Sequence, residues 1–453
     1  MNILTFNFKS PILLTSLSGF LISCSGIVTS SELEAKEKLR AVNEKYIPSR
    51  SLPTEITENT PLNSLIMHAV MRSPEVESAY YSWIGTIENI TVERSLPNPS
   101  LMFEADIQST VMSLMPGLMV DFPGPGKLAL KAEIAEEESN IKFRDFQAAS
   151  LKAASDFKNA YYLLQGTQDA IRVTVDNLGL VRDLKGIVNS QYTASKASLQ
   201  DVLRAEMEER ELEVEVENLK DSLTSVITNY KASIGLPPEK NIPLPKNFIN
   251  SEKAPPLNEI YEIAKMRNPT LRKMAAEIRR AENAVSLSRK SENPDFSLWV
   301  MTDVKPSTPM LRPRFIMTLP IWRDKIRAEI ESAIAQKKAA EAQYASEELK
   351  LASDFAASAF MFRESNRDYS LLNEVLIPKA EDAFSVAQSG YVGGISSFID
   401  FIEAERLLLK YQLAVIEARK NRELSLTNLS LTIAGIHPYN VFDADESGGK
   451  DEK

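Results

Sequence analysis

Two periodicities alternate along the chain. Between positions 101 and 107 the apolar Leu101, Phe103, Ala105 and Ile107 alternate with Glu104 and Asp106, and the returning run sets Leu118, Val120 and Phe122 against Asp121. A second pair follows far downstream, with Phe296, Leu298, Val300 and Thr302 on one face and Ser297 and Asp303 on the other, then Phe315, Met317 and Leu319 against Arg314 and Thr318. Period two with one apolar face predicts strands. Runs of about ten residues suit strands of a transmembrane barrel, although a soluble hairpin lying on a core alternates in the same way. Four strands cannot close a barrel, for which about eight is the small end, so membrane-crossing strands would have to be pooled between chains.

Elsewhere the period is helical. A leading helix is predicted over residues 62–95 and again over 257–291, and unbroken helical stretches over 127–189 and 324–389, each roughly 95 Å long. Helices of that length form a coiled coil or a hollow helical cylinder. Each is followed by a return helix ending at a C-capping glycine, Gly235 or Gly435. The first return helix shows its apolar face in Leu212, Leu219, Leu223, Val226 and Tyr230. The second long helix is rich in alanine (Ala328, Ala333, Ala335, Ala339, Ala340, Ala342, Ala345), which favours both helix formation and close lateral packing.

The elements repeat. Pro61-Leu62-Asn63 through Met71-Arg72-Ser73-Pro74 recurs as Pro256-Leu257-Asn258 through Met266-Arg267-Asn268-Pro269, and Asn98-Pro99 as Asn293-Pro294, all at an offset of 195. Phe122-Pro123 recurs as Leu319-Pro320, and Ala132-Glu133-Ile134 as Ala328-Glu329-Ile330. Tyr192, Asp201 and Ala205-Glu206 recur as Tyr391, Asp400 and Ala404-Glu405 at an offset of 199. A slowly drifting offset over many anchors marks a structural repeat. The organisation expected is a signal peptide over 1–23, an N-terminal linker over 24–60, repeat one over 61–235, a Pro-rich linker over 236–255, repeat two over 256–436, and an acidic tail over 437–453.

The remaining chemistry narrows the function. One cysteine excludes an intrachain disulfide. It sits in Leu21-Ile22-Ser23-Cys24-Ser25, after a short apolar run that reads as a signal peptide. The sequence resembles a lipobox, which would leave Cys24 acylated as the first residue of the mature chain; the alternative is an ordinary signal peptide. No later apolar stretch reaches the ~18 residues of a spanning helix, so any crossing uses strands. The net charge of −10 argues against nucleic acid as a partner. His68 and His437 are the only histidines, and no catalytic constellation, phosphate loop or cofactor motif appears, so neither an enzyme nor a cofactor is expected. Met102, Met112, Met115 and Met119 cluster beside the first strand pair. Thioethers ligate soft metals, but methionine on a lipid- or core-facing surface is the commoner case, and no metal site is assigned.

A repeated order of helix, hairpin, long helix and return helix behind a lipoprotein signal resembles the TolC family of outer-membrane efflux proteins, over residues 60–436. The resemblance implies a mainly α fold with transmembrane β: a long α-helical periplasmic barrel, with four strands per subunit given to a trimeric twelve-stranded β-barrel. It also implies a homotrimer held in outer-membrane lipid that docks on a periplasmic adaptor and an RND-type inner-membrane pump. The segment Tyr391-Val392-Gly393-Gly394 through Asp400-Phe401-Ile402-Glu403 is similar to the family's tip pattern Tyr-x-x-Gly-x-x-x-x-x-Asp-x-x-Asp, with Glu403 replacing the second acid and Ser396 standing where some members carry a basic residue. In repeat one Tyr192 and Asp201 match, Ser195 replaces the glycine and Arg204 the second acid. On this resemblance Asp201, Asp400 and Glu403 would form the gate, while Tyr192, Ser195, Tyr391, Gly393 and Gly394 would dock the adaptor. Phe122-Pro123-Gly124-Pro125-Gly126-Lys127-Leu128 resembles the barrel-to-helix junction of CzcC-like and CusC-like members linked to heavy-metal efflux. A conduit for type I protein secretion and a periplasmic coiled-coil scaffold lipoprotein are the competing readings.

Overall fold

A computed structural model describes residues 29–46, 48, 56–107, 111–245, 257–303 and 310–432. The signal segment with Cys24, much of the second linker, Gly435, His437 and the acidic tail lie outside the described residues.

The chain begins with a helix that periodicity did not reveal. α1 (Ser30–Lys45) is capped by Thr29, whose hydroxyl accepts from the Glu32 amide. Its apolar positions, Ala35, Leu39, Val42 and Tyr46, recur at helical spacing inside what reads as a linker. Val42 and Tyr46 are buried in a cluster with Trp83, Phe143, Phe146 and Phe157, so this segment belongs to the first core.

The leading helix is two helices in each half: α2 (Leu62–Arg72) and α3 (Pro74–Arg94), then α6 (Leu257–Arg267) and α7 (Pro269–Arg289). Proline pushes the residue before it out of helical geometry and starts the next helix at its first position. Ser73 and Asn268 therefore become N-caps, accepting from the amides of Val76 and of Thr270 and Leu271. Between the paired leading helices and the long helices lie the strands, β1 (Ser100–Ile107) and β2 (Val111–Phe122) in one half, β3 (Phe296–Asp303) and β4 (Met310–Met317) in the other.

The long helix α4 (Lys127–Thr193) runs 67 residues without a break, about 100 Å. Its counterpart is not a plain α-helix. α8 (Arg323–Leu371) passes through a π-turn at Leu372–Leu376 into α9 (Ile377–Val392). Pro378 stands just after that turn, where it cannot donate to the ladder and would crowd the carbonyl four residues back. The wide turn makes the room. The return helices are α5 (Leu199–Ser233) and α10 (Phe398–Thr432). Gly235 ends α5 at φ 73°, where the Leu236 amide reaches the Lys231 carbonyl.

The helices form one curled layer of four columns. α3 packs on the strand-proximal part of α4 and α5 on its distal part; α7 and α10 do the same on the other side of α4, and α8 covers α7 and α10. The repeats are joined across this layer by Glu137–Arg279 and Glu138–Arg280 near the sheet and by Asp169–Arg419 further away. A cavity of about 750 Å³ is lined by Asn89, Lys131, Glu277 and Gln336, one from each successive column, so the layer is hollowed on that side near the sheet. Among the described residues no helix is long and apolar enough to cross a membrane.

The sheet is antiparallel in the order β1-β2-β3-β4, and its central pairing, Gly117↔Met301 to Phe122↔Phe296, joins the two halves. Leu101, Phe103, Leu118, Leu298, Leu311 and Phe315 share one parity across the four registers and are exposed. Met102, Met115, Met119 and Met301 are on the other face. Met102, Gly117 and Met301 lie in one row, and Met119 pairs with Trp299. Met102, Met115 and Met119 share the face of Glu104, Asp121 and Arg314, and Met115 is buried there, as a core-facing methionine would be. Met301 and the Trp299 indole fill the space that Gly117 leaves.

Candidate gate at the hairpin tips and the strand-to-helix junction

Both long hairpins turn in the same way. In the first, the Lys196 amide bonds the Gln191 carbonyl at 2.8 Å and the Ser195 amide the Tyr192 carbonyl at 2.9 Å; in the second, Ile395 bonds Gly390 at 2.8 Å and Gly394 bonds Tyr391 at 3.1 Å. This pairing places one residue in left-handed geometry. That residue is Gly394 at φ 72° and Ser195 at φ 58°. The substitution of glycine by Ser195 therefore preserves the turn at the cost of backbone strain.

Past each turn stands a capping box. The Asp201 amide donates to Ser198 Oγ at 3.2 Å, while Asp201 Oδ2 accepts from the Ser198 amide at 3.0 Å and its hydroxyl at 2.7 Å. Asp400 repeats the arrangement with Ser397 at 3.2, 3.1 and 2.7 Å. Those bonds to Ser397 hold the Asp400 carboxyl below the usual carboxylate range. The acids thus start α5 and α10, a local role that accounts for their spacing without reference to a gate. Both bonds that each carboxylate accepts use Oδ2. Glu403 lies on the exposed surface of α10, 3.7 Å from Arg406.

The two tyrosines differ. Tyr192 is 44% exposed and Tyr391 only 7%. Tyr391 stacks on Phe401 and meets Phe398 at 5.5 Å, inside a cluster with Leu184, Val188, Val202, Ala205 and Ile402 that joins the two hairpins. Burial and the Asp201 charge raise its phenol pKa. Its ring is therefore not available to a docking partner; the exposed surface of that tip comes from its neighbours. Val392 is exposed and Ile395 is 89% exposed, an apolar knob at the turn that the tyrosine–glycine pattern did not single out. The equivalent repeat-one positions are Thr193 and Lys196.

At the opposite end of the long helices the two repeats meet around Asp295. Its Oδ1 accepts from the Gly124 amide at 2.6 Å and from Lys127 Nζ at 2.8 Å, and Lys127 also donates to the Asn293 carbonyl at 3.1 Å. Its backbone bonds Thr318. Gly126 caps α4 at φ 82°. A Cβ on Gly124 would lie 2.7 Å from the Pro294 carbonyl. The Pro-Gly-Pro-Gly-Lys run is thus a socket for the other repeat, and Asp295 is the residue that sequence reasoning missed. Its partners are 168 and 171 positions away, although the recurring Asn293-Pro294 pointed to the neighbourhood.

Comparison with known proteins gives a consistent result. The family model described as "Outer membrane efflux protein" matches residues 260–435. The cobalt-zinc-cadmium resistance protein CzcC of Cupriavidus metallidurans is 20% identical over 329 residues, 72% of this chain and 78% of its own. The fold is similar to the outer membrane protein VceC of Vibrio cholerae, with TM-score 0.70 and 18% identity over 83% of this chain and 96% of that one. It is similar also to the MtrE outer membrane channel of Neisseria gonorrhoeae, with TM-score 0.72 and 17% identity over 86% of this chain and 94% of that one.

Proposed function

We propose that this chain, which belongs to the outer-membrane efflux protein family and is an outer-membrane protein and not an enzyme, is one subunit of a trimeric channel that passively conducts exported solutes. The observation that carries this reading is the pair of unsatisfied edges. β1 and β4 are sheet edges with free backbone groups and an apolar face. The helix layer ends on one side with exposed Leu203, Met207 and Val214 of α5, and on the other with Leu349, Phe360 and Met361 of α8. Two different sticky edges on a curved layer close by head-to-tail addition into a ring. Pooling four strands from each of three subunits passes the size a barrel needs.

On this reading the apolar sheet face meets lipid, the face with Glu104, Asp121 and Arg314 lines the pore, and repeats 61–235 and 256–436 each supply one hairpin and half the subunit's tunnel wall. A lipid on Cys24 would tether the start of the chain. The energy comes from an inner-membrane pump of the RND type reached through a periplasmic adaptor. Metal cations are the favoured cargo, supported by the name of the CzcC relative and by acids at the tips. Asp201, Asp400 and Glu403, tripled, would ring the constriction and attract cations. The free Oδ1 sides of the two aspartates leave them able to do so while capping their helices. A protein-secretion conduit would share this tunnel, whereas a scaffold would leave the apolar sheet face without a use.

Purified protein should migrate as a heat-sensitive trimer and form cation-preferring pores in planar bilayers. Asp400→Ala combined with Glu403→Ala should weaken blockade by divalent cations about tenfold; unchanged blockade would remove these acids from the gate. Docking is tested separately. Cysteines at Ser195 and Gly394 should crosslink to the adaptor, with Ile395→Asp reducing the yield, and loss of both crosslinks in wild-type background would end the tip assignment.

A further inference from the structure

A carboxyl group with no hydrogen-bond partner among the described residues lies inside the seam between the two hairpins. Glu405 is on α10, one turn after Phe401 and one before Leu408, on the face those residues bury. It is 0% exposed, and neither Oε1 nor Oε2 has a hydrogen-bond partner among the described residues. The surrounding charges do not help it. From α5, Glu208 is also buried and faces it with a like charge. Arg406, its chain neighbour, donates to Glu208 at 2.6 Å and lies near Glu211 and Glu403. On α4, Lys185 is bonded to Glu209, and Tyr391 of α9 belongs to the apolar cluster further along the same seam.

We propose that Glu405 is a proton-controlled latch of the tip: protonated, it lets α10 lie against the first-repeat hairpin, and ionised, it drives the two hairpins apart. The proposal rests on the channel reading, since the seam is what must part if the tips constrict a pore. A buried carboxyl without donors is tolerable only as the neutral acid. Burial first, then the Glu208 charge, push the Glu405 carboxyl up to about 7, against the pull of Arg406. With the parted state near the ordinary value of 4.5, packing is strongest below pH ~4.5, weakens as pH rises towards ~7, and stays weak above. The tip therefore closes in acid and loosens at neutral pH. Asp400, held below the usual range, stays ionised throughout that window and cannot mimic the effect.

The experiment is single-channel recording of the full trimer in planar bilayers from pH 5 to pH 7.5. Wild-type open probability should rise at least tenfold, consistent with a carboxyl carried from 4.5 to about 7. Glu405→Gln should hold the acid value at every pH, and Glu405→Met, which fills the space without an ionisable group, should do the same. Glu208→Gln should move the midpoint to lower pH. Conductance that is flat with pH in the wild type, or a wild-type slope in both Glu405 variants, overturns the latch alone. Inserted trimers with no conductance at any pH overturn the channel reading and the latch with it.

Discussion

Glu32→Ala is expected to release α1 from the body of the protein at a cost of about 3 kcal/mol. Glu32 is 0% exposed and holds Arg94 at 2.5 Å, Lys36 at 2.7 Å and the Thr91 hydroxyl at 2.7 Å. Arg94 is itself mostly covered, so removing the carboxylate leaves a cation in a place built for a pair. Burial alone would raise the Glu32 carboxyl; the hydrogen bonds from Arg94, Lys36 and Thr91 outweigh it and take it down to about 2. Docking of α1 is then fully supported above pH ~4.5 and weakens as pH falls towards ~2, by about 3 kcal/mol in all. Amide hydrogen exchange over residues 32–46 measures this directly. Protection in Glu32→Ala equal to wild type would show that the apolar contacts of Val42 and Tyr46 hold the helix unaided.

The second large effect is expected at the strand-to-helix junction. Gly124→Val places two branches where a single Cβ already falls 2.7 Å from the Pro294 carbonyl, and backbone displacement of this kind costs on the order of 3 kcal/mol. Asp295→Ala should be of similar size, because it deletes charge-assisted bonds from Lys127 and Gly124 worth about 1.5–3 kcal/mol each. Gly126→Ala, which meets only left-handed strain at φ 82°, should cost about 1–2 kcal/mol. The midpoint of thermal unfolding ranks the three, as does the heat at which the proposed trimer dissociates on a gel. A Gly126 variant as damaged as Gly124→Val would mean that strain, not the close approach to the other repeat, limits this joint.

What could be read along the chain was whatever repeats locally. The parity of Leu101, Phe103, Leu298 and Phe315, the length of α4 and the glycine after α5 all depend on neighbours within a few positions, and all appear in the structure. The family resemblance, carried by the tips and by the Pro-Gly-Pro-Gly-Lys run, agrees with the matched family model. What could not be read depends on distant partners. Glu32 needs Arg94 and Asp295 needs Gly124, while Glu405 is distinguished by having no hydrogen-bond partner among the described residues. α1 escaped because its inward-facing apolar positions sit in a segment otherwise rich in charge.

The open edges of β1 and β4 carry a genetic consequence. The proposed ring of three has no spare member, so on that reading a subunit that folds but cannot complete the barrel spoils every ring it joins. With equal amounts of normal and edge-defective chains mixing at random, only roughly one ring in eight is wholly normal. Edge variants should therefore be dominant over a wild-type copy, whereas variants that fail to fold, and so never reach the ring, should be recessive.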